Sequence, residues 1–450
     1  MPATSAAQQR IARLASITAV HRAFHWLHLH QPQLRQWQLE LVRIPAPPFG
    51  ESARAAHFLE HFHRLGLTNI HIDDAGNALA ELAPPPNTAS EPLPESKPES
   101  RSNPQPSDPS LSAKSVVIPG THTEPPCILL SAHLDTVFPI GTPLEPVEEK
   151  DTARIYAPGI CDNAAGLTAL LAIAAALRYA NITPPIPILF AANVGEEGEG
   201  DLRGMRHLFE RSPYRNRIAA AIALEGSGTS AVVTRALGSL RFRVTITGPG
   251  GHSWADAGAP NPILILSQAL TAIATLKLPT NPLTTLNVGH ISGGTSINSI
   301  PESAAALLDI RSTYPTQLIA TATAVHSIFD EIITTSTRHS IPAPLPKLHI
   351  ETIGNRPAGT LPDDSPLLHT LRAVDRHLTI RTEQRLGSTD SNIPLSRGIP
   401  AIAIGTGGTG GGIHTLQEWY DPTGRETALR RILLTLLDSV DTIAILHPNN

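Results

Sequence analysis

Cysteine is nearly absent from this chain: its 450 residues carry only Cys127 and Cys161. Two thiols cannot build a disulfide framework, and their scarcity favours a reducing compartment, so the cytoplasm is the expected location. Long basic runs are also missing and the formal net charge is −5, which argues against a nucleic-acid or anionic-membrane surface. No stretch reaches 18 uninterrupted apolar residues, and the opening MPATSAAQQRIARLAS lacks an apolar core of signal-peptide length. Neither a spanning helix nor a leader is therefore expected. What is present is enough chain for two domains, or for one large domain with an insertion. Small molecules or peptides are the expected partners.

Taken in order, residues 5–42 are predicted helical, with Ile11, Leu14, Ile17, Val20 and Phe24 at helical spacing and Pro32 interrupting the segment. His21, His25, His28 and His30 include an i, i+4 pair. No carboxylate or cysteine completes a metal set there, so they are read as scaffold. An amphipathic helix is expected at 51–65, and two short strands within 68–82 around a turn at Asp74 to Gly76. Residues 84–126 are rich in Pro, Ser, Glu and Lys. That composition cannot bury enough apolar surface to offset ordering entropy, which predicts a low-complexity surface insertion.

The chemistry begins at SAHLDTV, 131–137, where an apolar run ends in His133 and Asp135. Residues two apart on a strand share a face, so both point into one space; a carboxylate beside an imidazole suits a metal site. Asp162 and Asn163 then precede an Ala- and Leu-rich helix, with Asn163 a candidate N-cap. The apolar strand 187–194 runs into Glu196 and Glu197, and a further apolar run ends at Glu225. Alternating strands and helices predict an α/β fold, a mainly parallel sheet with helices on both faces. Ligands collect at the carboxyl ends of such strands, where these acids are expected.

From about Gly238 the pattern becomes β-α-β-β-α-β: strands at 239–248, 283–291, 303–311 and 346–353, helices at 261–277 and 315–333. This predicts an inserted ferredoxin-like α+β domain over 238–352, with the catalytic domain formed by 1–237 and 353–450. The final part returns to a helix at 365–378, the loop GSTDSN, the strand IPAIAIG, the glycine-rich TGGTGGGIHT and a last helix at 423–446. Gly407 to Gly412 lack the GK[ST] ending of a phosphate loop. They are read instead as letting backbone approach the site before His414.

In order, spacing and local wording (HLDTV, DNAAG, GEEG, LEG, GGHS, IHT) the chain resembles the di-zinc metallopeptidases that include peptidase T, carboxypeptidase G and aminoacylase. The resemblance covers nearly the whole chain except 84–126, and its wording is nearest to peptidase T-like members. It implies that His133 and Glu225 hold one zinc, Glu197 and His414 the other, and that Asp162 bridges them through a cis Asp162–Asn163 bond. Cobalt or manganese could replace zinc. Glu196 would be the general base, and Asp135 would orient His133. His252, in GPGGHSWADAG, would stabilise the oxyanion, often from a partner subunit, which makes the inserted domain both lid and dimerisation domain. Asn298, Arg311, Ser388 and Asp390 match substrate-binding positions. Glu225 departs from the Asp common in peptidase T-like members and resembles carboxypeptidase G, leaving amino- and carboxypeptidase specificity open. The implied function is zinc-dependent hydrolysis of short peptides by a homodimer. An N-acyl amino acid deacylase, or a metal-retaining but inactive peptide-binding homologue, are the rivals.

Overall fold

The computed structural model describes residues 3–84, 124–338 and 344–447; nearly all of the expected 84–126 insertion lies outside them. Three helices open the chain, Ala3–Ala15, Thr18–Leu29 and Gln31–Val42. Pro32 sits in the first turn of the third, where its missing N–H has no carbonyl to meet. The helix Ser52–Arg64 leads into the antiparallel pair Thr68–Ile72 and Ala78–Leu82. Their turn is tied by Asp73, whose Oδ1 accepts the N–H groups of Ala75, Gly76 and Asn77.

The central sheet runs Thr68–Ile72, Ala78–Leu82, Ile188–Asn193, Cys127–His133, Ile218–Leu224, Ala401–Ile404 and Ala231–Ala236, with Gly359–Thr360 and Glu383–Gly387 paired at its far edge. Its middle is parallel: Cys127–His133 lies between Ile188–Asn193 and Ile218–Leu224, and Ala401–Ile404 continues the same sense. Those strands are buried almost throughout and mostly apolar because both faces are covered. The helix Ala164–Tyr179 packs between the sheet and the second and third helices, and is buried on almost every side. Its apolar character all round follows from that position; truncating Leu170 to Ala would cost about 2–5 kcal/mol.

A second apolar cluster serves the inserted unit. Its antiparallel sheet has the order Thr284–Gly293, Ser303–Ser312, Gly238–Thr247, Lys347–Arg356, with the helices Pro262–Ala274 and Pro315–Arg338 packed on it. This is the ferredoxin-like arrangement expected from the pattern. Its last strand runs to Arg356, three residues past the predicted end, and that extension matters for the site. No described helix is long and apolar enough to cross a membrane.

Candidate active site

Three parallel strands end side by side, and their last residues or following loops deliver His133, Glu196 with Glu197, and Glu225 to one edge. Asp162 arrives from the loop before the buried helix, and His414 from the glycine-rich segment. Asp162 lies between the two histidines: its Oδ1 is 3.1 Å from His133 Nε2 and its Oδ2 3.1 Å from His414 Nε2. Glu225 Oε1 is 3.4 Å from His133 Nε2, and Glu197 Oε1 2.8 Å from His414 Nε2. Three metal-capable groups result, His133–Asp162–Glu225, Asp162–Glu197–His414 and His133–Glu196–Glu197, and Asp162 belongs to the first two.

The donor set fits divalent ions. Asp162 Oδ1 is buried with no hydrogen-bond partner despite the nearby His133 nitrogen, so its lone pairs face the space between the ligands. Burial alone would lower the His133 pKa, but the Glu225 charge and the contacts to Asp135, Asp162 and Glu225 outweigh it and raise the pKa well above the usual range. Hydrogen bonds to Asp162 and Glu197 raise His414 to about 10. Burial raises Glu225 to about 7. So much negative charge around two imidazoles holds protons where a cation would replace them.

Supporting contacts fix this geometry, and sequence patterns did not reveal most of them. The Asp135 carboxylate, fully buried, accepts the backbone N–H of Glu196 at 2.9 Å and of Glu197 at 2.7 Å. The nearer partner of His133 Nδ1 is the Asp135 carbonyl at 3.0 Å, with the carboxylate at 3.6 Å. Asp135 therefore aims the glutamate pair as well as the histidine. Glu418, also fully buried, accepts from the backbone N–H of Gly159, Cys161 and Asp162. Asn163 caps the buried helix through Gly166 N–H and also binds Gly226 N–H and the Leu224 carbonyl. One side chain thus ties the Asp162 loop to the Glu225 loop. The Asp162–Asn163 bond is cis, as the resemblance implied.

The glycine-rich segment approaches as closely as expected: a Cβ on Gly410 would stand 2.5 Å from Cys161 Sγ. His414 itself has φ of 65°, a left-handed conformation uncommon outside glycine and found at functional sites.

Glu196 is buried and faces the same space. Burial pushes its pKa well above the ordinary carboxylate range, Arg356 opposes that shift, and Glu197 and Glu225 reinforce it. Arg356 Nη1 donates to Glu196 Oε1 at 3.0 Å and to Ser388 Oγ at 3.1 Å, and Nη2 donates to the Glu196 carbonyl. The end of the inserted sheet's last strand is thereby clamped to the acid pair. Only the extra residues of that strand could have signalled this.

Asp162, Glu196, Glu197, Glu225, Arg356 and His414 line a cleft of about 710 Å³, together with Arg241, Arg311, Ser388 and Thr389. Arg241 and Arg311 share Asp309, at 3.3 and 2.6 Å, so three groups leave one net positive charge beside the cleft. Asp390 is not on the wall. It is 1% exposed and accepts from Asn193 Nδ2 at 2.8 Å, supporting the strand end from below. His252 and Asn298 also lie outside the cleft lining. Both are exposed, on paired turns joined by the Ser253 N–H to the Asn298 carbonyl at 3.0 Å. His21, His25, His28 and His30 form no metal-capable group among the described residues.

Residues 129–438 match the sequence profile of peptidase family M20/M25/M40. The chain belongs to that family. It is accordingly a member of a metal-dependent hydrolase family, the one its motifs resemble. A tripeptidase from Staphylococcus aureus shares the fold with a TM-score of 0.66 at 21% identity, covering 91% of this chain and 98% of that one. A Bacillus subtilis protein described as a dinuclear metal-binding M20 peptidase gives 0.61 at 14% identity, covering 91% and 98%. In sequence, the chain is 27% identical over 215 residues to a "Probable carboxypeptidase" of Talaromyces marneffei, 43% of this chain and 47% of that protein. The match thus spans about half the length of such curated relatives.

Proposed function

We propose that this M20 family protein is an exopeptidase for short peptides that uses two zinc ions, for which cobalt or manganese can substitute. The observation that carries the reading is the position of Asp162 between two histidines, each with its own glutamate. His133 and Glu225 would hold one ion, Glu197 and His414 the other, with Asp162 shared. When bound, such ions supply Lewis acidity, polarising a carbonyl and bringing the pKa of water toward neutrality. Glu196 accepts the proton of the attacking water and returns it to the leaving amine. Arg356 orients Glu196, and Asp135 holds the backbone of both glutamates.

The peptide's free carboxylate is received by Arg311 and Arg241 with Ser388, which share the cleft with the acids. An arginine-lined wall favours substrates with a free carboxyl end. The carboxypeptidase names among sequence relatives and Glu225 support the same preference. A tripeptidase acting on the same short substrates fits the likeness in fold. An N-acyl amino acid also ends in a carboxylate, so deacylation is the second reading. An inactive peptide binder would have no use for Glu196 buried beside the ligands.

The inserted unit, 238–352, serves as lid and dimerisation domain. Its tip exposes Trp254 and Ile297 beside His252 and Asn298, and the edge strand Thr284–Gly293 offers free backbone groups for pairing. A second copy would bring His252 to the scissile carbonyl as an oxyanion donor. The two thiols, Cys127 and Cys161, are free and buried, which supports a reducing compartment, the cytoplasm. The test is hydrolysis of a panel of di- and tripeptides, blocked at either end, and of N-acyl amino acids, with and without chelator. Chelator-sensitive cleavage that requires a free carboxyl end is expected; activity indifferent to chelator would overturn the reading.

A further inference from the structure

We propose a third divalent-metal site, remote from the cleft, formed by Glu40, His57 and His61. His57 and His61 stand four residues apart on the helix Ser52–Arg64, hence on one face. Glu40 comes from the neighbouring helix Gln31–Val42. Each offers one ligand atom, and the three atoms lie within 4.8 Å of one another. Two imidazoles and a carboxylate suit zinc, cobalt or nickel, with a fourth position left for water.

A second observation points to a ligand. His57 Nε2 and His61 Nε2 are both buried and neither has a hydrogen-bond partner, although buried polar atoms are ordinarily satisfied. His61 is only 4% exposed. The rings do pack, His57 on His61 at 4.7 Å and His61 edge-on to Trp37 at 5.3 Å. Packing accounts for the burial, but not for two unsatisfied nitrogens in a cluster with a carboxylate. Glu40 Oε1 accepts from Gln36 Nε2 at 2.9 Å, which steadies its carboxylate as the outer partner of a metal ligand would.

A metal here is structural. It staples the helices on either side of the loop 43–51, which seats against the end of the His133 strand. Thr136 N–H donates to the Ala46 carbonyl at 2.8 Å. Arg54 bridges the same elements, Nη1 to the Leu134 carbonyl and Nη2 to the Ile44 carbonyl, both at 2.6 Å. The site therefore steadies the platform beneath the cleft while touching none of the reacting groups.

The test compares the full chain with His57→Gln and Glu40→Gln, each dialysed against the same buffered zinc and counted for metal. The wild type should hold one zinc per chain more than either variant, with peptide hydrolysis unchanged. That difference is independent of how many ions the cleft takes. Cobalt provides a second readout: loaded in place of zinc into the metal-free protein, it should quench tryptophan emission through Trp37 more strongly in the wild type than in His57→Gln. Glu40→Gln, at a half-buried position, keeps the test available if the histidine variant fails to fold. Equal zinc in the wild type and a folded variant would overturn the proposal.

Discussion

On the sheet side of the cleft His133, Asp162 and Glu197 are held by buried partners; at the tip of the inserted unit, His252 and Asn298 are exposed. Asp135 fixes the backbone of Glu196 and Glu197, Glu418 fixes that of Asp162, and Asn163 joins two ligand loops. The His252 backbone N–H donates to Asp256 Oδ2 at 2.7 Å, its ring Nδ1 accepts from Trp254 N–H at 3.2 Å, and its backbone pairs with Ser299, but none of these partners is buried. The difference teaches which part of the chemistry is prepared in advance. A metal centre needs fixed donors before the ion arrives. A residue that acts from a lid, as proposed for His252, has to come and go with substrate, and weak anchoring suits that role.

Breaking the prepared side should have the largest effect. Asp162→Asn removes charge shared by both metal groups, and we expect loss of bound metal together with turnover, measured on the same sample. Retention of both ions would show that Asp162 does not bridge. Next, His252→Ala should lower the chemical rate by roughly 10²–10³, the scale of one lost oxyanion donor, while metal content stays unchanged. Mixing it with Glu196→Gln should restore partial activity if His252 acts across the dimer. No recovery after confirmed subunit exchange would place its action within one chain.

Smaller losses should follow at the supports. Glu418→Gln weakens the cradle around Asp162 without touching a ligand atom, and metal affinity should fall about 10–100-fold, as for other outer partners of metal ligands. An unchanged zinc dissociation constant would remove Glu418 from the centre. Changing pH sharpens the same comparison. In the metal-free protein the protonated His414 contact is fully present below the usual histidine pKa and is lost as pH rises through about 10. Metal must displace that proton and the one on His133, so zinc affinity should tighten as pH rises. Titrations at several pH values check the sign.

The sequence disclosed residues whose role depends on strand ends. His133, Glu197, Glu225 and His414 follow apolar runs or glycines, and a parallel sheet gathers such positions. Asn163 was legible as a cap because its side chain acts locally. The ferredoxin-like unit was legible from its alternation. Glu418 and Arg356 were not, because each acts through a contact more than 150 residues distant that no periodicity encodes. Asp390 reads as a loop acid in the sequence, yet folding places it under the strand end with Asn193. The Glu40–His57–His61 cluster escaped for a related reason: its ligands come from two helices, and only packing makes them neighbours.

The most direct measurement is metal content and turnover of Glu196→Gln, determined together. The substitution keeps the acceptor for Arg356 and removes the base from a residue assigned no place among the ligands. Full metal occupancy is expected, with a rate lower by about 10²–10⁴-fold, the usual contribution of a general base. A variant that remains active, or that loses its metal, would contradict the division of roles between Glu196 and Glu197.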